Sequence, residues 1–105
     1  MSTENQPPQA YREFIAKYPQ LGEAWELLAA AGKEGPLDAT TQRLVKFAIA
    51  IGAGKEGAAH ASVRKARKLG IAREELEQVV ALAASTLGLP SAVAANKWIA
   101  DIYEK

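Results

Sequence analysis

The sequence predicts an all-helical domain of about six helices, and three observations lead there. Apolar residues recur at the i, i+3, i+4, i+7 spacing of a helical face in segment after segment. No stretch alternates apolar and polar with the period of two that a half-buried strand needs. Glycine and proline punctuate the chain at intervals of one helix length.

Residues 1–8 are read as a tail ahead of a domain over 9–105: Met1 to Gln6 are polar and lack periodicity, and Pro7-Pro8 closes them off. Tyr11, Phe14, Ile15 and Tyr18 make the first stripe, and Pro19 ends that helix and opens the next. Leu21, Trp25, Leu28 and Ala29 make the second, which Gly32 is expected to cap. Asp38 is a suitable N-cap for a third helix, because its carboxylate can accept orphan amides of the first turn. From Leu44 to Ala53 that helix is apolar on every side except Lys46, the pattern of a helix enclosed by neighbours within the subunit or across an interface. Gly52, Gly54 and Gly57 break it near its end. A fourth helix runs from about Glu56 to Leu69 with Gly70 as its cap. Ile71 and Leu76 are spaced as a hydrophobic staple around the start of a fifth, where Glu74 and Glu75 suit the positive end of the helix dipole. Its apolar face is expected from Val79, Val80, Leu82, Ala83 and Leu87. After Gly88 and Pro90 a final helix carries Val93, Ala94, Trp98, Ile102 and Tyr103.

Composition narrows the function. Thirteen Lys plus Arg against twelve Asp plus Glu leave a net charge of +1, without the basic surplus that binding a nucleic-acid backbone requires. No apolar run reaches the roughly 18 residues of a membrane span, and no apolar signal core opens the chain, so a cytoplasmic protein is expected. The absence of cysteine removes disulfides, thiolate nucleophiles and dithiol redox chemistry. A single histidine argues against a zinc site, and no metal or cofactor is expected. The 49% apolar content of so short a chain points to a core completed by homo-oligomerisation.

From Tyr18 to Pro90 the chain resembles the carboxymuconolactone decarboxylase (AhpD-like) family. Tyr18-Pro19, then Leu37-Asp38-Ala39-Thr40-Thr41-Gln42-Arg43-Leu44-Val45, then Ser62-Val63-Arg64-Lys65-Ala66, Gly70-Ile71-Ala72-Arg73-Glu74-Glu75-Leu76 and Gly88-Leu89-Pro90 carry the likeness in one register. The resemblance implies an AhpD-like fold and assembly as a trimer or hexamer, with the apolar third helix near subunit contacts. Redox members of the family use a C-x-x-C-x-x-x-H run and an upstream glutamate. In this register the cysteines fall on Lys55 and Ala58, the histidine on Ser62 and the glutamate on Arg43. A peroxidase relay needs a reactive thiolate and a resolving thiol, and both are missing. The family's decarboxylases also keep a histidine where Ser62 stands.

Two sets of residues remain as candidates. His60 and Glu56 are four apart, so on a helix the carboxylate can orient the imidazole as a general base, with the Ser62 hydroxyl nearby; the alternative is a surface histidine with a local partner. Arg43 and Lys55, if turned inward, make a site for a small anion; the alternative is two solvated cations, or cations paired with surface acids such as Glu56. Together these residues suggest a non-redox lyase or isomerase acting on a small carboxylate or lactone. The other reading is a catalytically degenerate member that binds a ligand or a partner. The basic cluster Arg64, Lys65, Arg67 and Lys68 reads as a solvated face suited to a helix C-terminus.

Overall fold

The computed structural model describes residues 8–105, so the tail expected over 1–8 lies, apart from Pro8, outside the described residues. They form six helices: α1 Gln9–Lys17, α2 Pro19–Lys33, α3 Ala39–Gly52, α4 Glu56–Lys68, α5 Arg73–Leu87 and α6 Leu89–Tyr103. They fall into two compact units that divide after Pro36.

The first unit is the α1–α2 hairpin. Its turn is a single residue, Tyr18, after which Pro19 takes the first helical position, where its missing N–H is no loss. Ile15 lies against Gly22, where an added Cβ would sit 3.4 Å from the isoleucine Cβ, so the two helices meet through the smallest side chain available. Gly32 does not cap α2 as expected. The helix runs on to Lys33 and ends where Glu34 becomes extended, because Gly32 never takes a positive φ.

The second unit, α3 to α6, holds the core. Phe47, Ala59, Val63, Leu76 and Ile99 are fully or almost fully buried, joined by Ala50, Ile51, Ala66, Ile71, Val80, Ala92, Ala95 and Ile102. Local chemistry sets its joints. Asp38 caps α3 as expected, accepting the Thr41 N–H at 2.8 Å. The α3–α4 joint is a Schellman motif: Gly54, at φ +68°, donates to the Ile51 carbonyl, and Lys55 N–H donates to Ala50 at 2.9 Å. Gly70, at φ +81°, closes α4 in the same way, with Ile71 N–H donating to the Ala66 carbonyl at 3.0 Å. Gly52 is the last residue of α3, so that helix ends where the glycines were expected to break it, while Gly57 is the second residue of α4. Ile71 and Leu76, the staple, both enter the core. Ala72 has no side-chain acceptor with which to cap α5, but Glu75 reaches back to accept the Ala72 N–H at 3.0 Å, which supplies half of a capping box.

The expected faces of α5 and α6 hold in part: Val80 and Ile102 enter the core and Val79, Ala83, Trp98 and Tyr103 pack against it, while Leu82, Val93 and Ala94 are exposed. On α6 the buried residues are Ala92, Ala95, Ile99 and Ile102, while Val93 is 63% exposed. On α5 they are Leu76 and Val80, with Leu82 68% exposed. On α6 the buried Ala92 and Ala95 let the helix approach its neighbours closely. The apolar α3 is not enclosed within its unit: Phe47, Ala50 and Ile51 face inward, while Val45 and Ile49 are exposed.

Candidate functional site

Helix α4 lies between α3 and α6, and its residues divide between those neighbours. Two residues along a helix turn a side chain by about 200°. Ser62 and His60 accordingly face different partners.

Ser62 is the one polar residue among the described core positions, 4% exposed. Arg43, from α3, donates through Nη1 to its hydroxyl at 3.4 Å. Arg43 and Ser62 therefore stand side by side across the α3–α4 contact. Arg43 is half-buried, and burial lowers its pKa below the usual arginine value by disfavouring the charged form. Its Nε is buried without a hydrogen-bond partner. No carboxylate among the described residues pairs with it. A partly desolvated guanidinium with one long hydrogen bond and no counter-ion is costly to keep.

Lys55 occupies the N-cap position of α4 without a capping side-chain bond and is exposed, as are Glu56 and Ala58. Glu56 occupies the first turn of α4, where a carboxylate complements the helix dipole.

His60 turns to α6. Its Nε2 lies 3.0 Å from Asp101 Oδ2, and the other carboxylate oxygen accepts from Lys97 Nζ at 2.6 Å. The carboxylate that orients His60 is thus Asp101 and not Glu56, which makes no hydrogen bond to it. The hydrogen bonds from Lys97 and His60 hold the Asp101 carboxyl below the usual carboxylate range. The structure does not bring together the five residues singled out from the sequence. It pairs Arg43 with Ser62 on one side of α4, sets His60 on another, and leaves Lys55 and Glu56 exposed near its start. Asp101 was missed because its partner lies 41 residues away, a separation that no local pattern encodes. The only local signal was the i, i+4 spacing of Lys97 and Asp101.

The basic cluster is also partly structural. Arg67 donates to the Ile102 carbonyl at 3.2 Å and lies 5.3 Å from the Tyr103 ring centroid, with Arg73 at 5.6 Å from the same ring. Tyr103 donates its hydroxyl to the Ile71 carbonyl at 3.4 Å, and burial, its largest influence, raises its pKa. Among the described residues no three His, Asp or Glu side chains gather as a metal site, and no helix is long and apolar enough to cross a membrane.

No curated protein and no solved structure matches the chain. The model of the carboxymuconolactone decarboxylase family matches residues 19–101. That match spans α2 through nearly all of α6 and includes both Arg43 and Ser62. The chain belongs to the carboxymuconolactone decarboxylase family.

Proposed function

We propose that this protein is a family member without thiol chemistry that binds a small carboxylate or lactone at Arg43. The observation that carries the reading is the guanidinium itself, half-buried, held only by Ser62 and lacking a carboxylate partner. A ligand carboxylate meets that deficit with charge-assisted, bidentate hydrogen bonds, the geometry for which arginine is suited. Lys55, exposed at the α4 cap, is proposed as an auxiliary cation. Neither a guanidinium nor a serine hydroxyl held by one readily accepts a proton, so the pair supports binding ahead of turnover. A lyase or isomerase reading, with His60 or Glu56 moving the proton, needs a group from outside this pair.

The test is a thermal-shift screen with small carboxylic acids and lactones at fixed protein concentration. A ligand of the native state raises the midpoint by mass action, by about 2.7 kcal/mol of stability at a hundredfold excess over Kd. The wild type responds and the Arg43→Met variant does not. No response to any acid or lactone overturns the reading.

Assembly as a trimer or hexamer belongs to the same proposal. Val45 and Ile49, two and six residues beyond Arg43 on α3, are 42% and 64% exposed. Large aliphatic side chains along the matched family segment suit a contact with another copy of this chain. Light scattering on the eluted protein tests this: a trimeric or hexameric mass supports it, and a monomer at micromolar concentration contradicts it.

A further inference from the structure

The second side of α4 carries a separate arrangement. A cleft of about 610 Å³ opens between α4 and α6, lined by His60, Arg64, Lys97, Asp101, Glu104 and Lys105 with the edges of Ala100 and Ile102. His60 and Arg64 are one turn apart on α4 and both face it. Arg64 is half-buried and has no hydrogen-bond or ion-pair partner among the described residues. The carboxylates of the cleft, by contrast, are already engaged. Asp101 is shared between Lys97 and His60, and Glu104 accepts from Arg73 at 2.6 Å. What the cleft offers a ligand is an unspent guanidinium, the remaining donors of Lys97, and the imidazole edge that Asp101 does not occupy.

We propose that this α4–α6 cleft is a binding site for an oxyanion, a carboxylate or phosphate group, and that binding takes up a proton at His60. Arg64 holds the anion through its planar pair of N–H donors. The hydrogen bond at 3.0 Å occupies His60 Nε2, which leaves Nδ1 as the ring nitrogen available to a ligand. A neutral imidazole bonded in this way presents a lone pair at Nδ1, which repels an anion; the imidazolium presents a second N–H, which binds it. Asp101 is a positioning residue that fixes the ring through its contact with Nε2. Histidine is the side chain that changes charge between pH 5 and 8 in ordinary surroundings, so the site tightens as pH falls through that range. The charged and titratable groups that bear on His60 are Glu56 and Arg64 from α4, Lys97 and Asp101 from α6, and Glu104 and Lys105 just beyond it. The carboxylates keep their charge across that range in ordinary surroundings, as do the lysines and arginine, which leaves the imidazole as the switch. The site is independent of Arg43, which lies on the other side of α4.

The experiment uses sulfate as the probe, because it does not titrate in this range, with chloride at matched ionic strength as the reference. Binding is followed from pH 8 to pH 5.5 by the His60 side-chain NMR signals and by calorimetry in two buffers of different ionisation enthalpy. The expected result is a dissociation constant that falls by up to about tenfold per pH unit over the range where the free imidazole is neutral. Up to one proton is taken up per sulfate over that range. Arg64→Gln weakens binding by about tenfold at every pH, and His60→Gln removes the pH dependence. Asp101→Asn moves the pH profile to lower pH, an effect that a merely structural role for Asp101 would not produce. Arg43→Met leaves the response at His60 intact, so failure of this proposal and failure of the Arg43 reading are distinguishable. No sulfate response at His60, pH-independent binding, or full binding by His60→Gln overturns the proposal, as does weak binding that chloride abolishes, which marks an adventitious ion only.

Discussion

Arg43→Met separates a residue kept for a ligand from one kept for stability. Methionine retains the methylene stem of arginine and removes the head group, including the Nε that is buried without a partner. Leaving a buried donor unsatisfied costs about 1–3 kcal/mol, and the substitution recovers that cost. Against this stands the loss of one hydrogen bond to Ser62, which at 3.4 Å belongs at the weak end of the roughly 0.5–1.5 kcal/mol range. Ser62 need not be stranded, since a helical serine can donate to the carbonyl one turn earlier. The balance falls between zero and about 2 kcal/mol in favour of the variant. In a domain of this size each kcal/mol moves the thermal midpoint by about 4–8 °C. Thermal unfolding followed by circular dichroism, at equal concentrations and without added anions, should therefore show a midpoint unchanged or raised. A loss of more than about 1 kcal/mol would refute the reasoning, because Arg43 would then be holding the fold together through a partner other than Ser62.

Other consequences are checked in the same way. Leu76→Ala opens a cavity at a side chain with no exposed surface and costs about 2–5 kcal/mol, read by urea denaturation. Unchanged stability would place Leu76 outside the core. Gly70→Ala forces a side chain into the left-handed region at φ +81° and costs about 1–2 kcal/mol by the same measurement. Asp38 carries a pH signature. Hydrogen bonds from Thr41 lower its folded pKa, so its contribution is fully present above the unfolded value and is lost as pH falls through the folded one. Asp38→Ala is thus less stable than wild type at neutral pH, and the gap narrows in acid; a gap that widens in acid contradicts the cap. Peroxide consumption with a thiol reductant should stay at the buffer rate, since no cysteine is available to turn over.

Much of the fold is written locally. The Asp38 cap, the Gly70 stop and the Ile71–Leu76 staple each depend on residues a few positions apart, and the structure uses all three. Gly32 misled because glycine marks a helix end only where the backbone turns left-handed, and that requirement comes from the following chain, not from the glycine. On α5 and α6 the stripes hold at Val79, Val80, Ala83, Trp98, Ile102 and Tyr103 and fail at Leu82 and Val93. Val93 carries more apolar area, but Ala92 and Ala95 permit the closer helix approach, a property of pairs of helices that one stripe does not display. The site shows the same division. The family register named both Arg43 and Ser62, and their contact spans 19 residues. His60 was legible as a residue with a carboxylate partner but not which one, because Glu56 is its neighbour along the helix while Asp101 is its neighbour in space.

The most direct test of the claim that Arg43 replaces thiol chemistry with anion binding is its own Nε–H signal in nitrogen–proton correlation spectra during titration with small carboxylates. A saturable shift is expected at that signal and at the Ser62 amide for at least one acid, absent when the uncharged amide of the same acid is added. Signals at Arg43 and Ser62 that stay fixed through every titration contradict it.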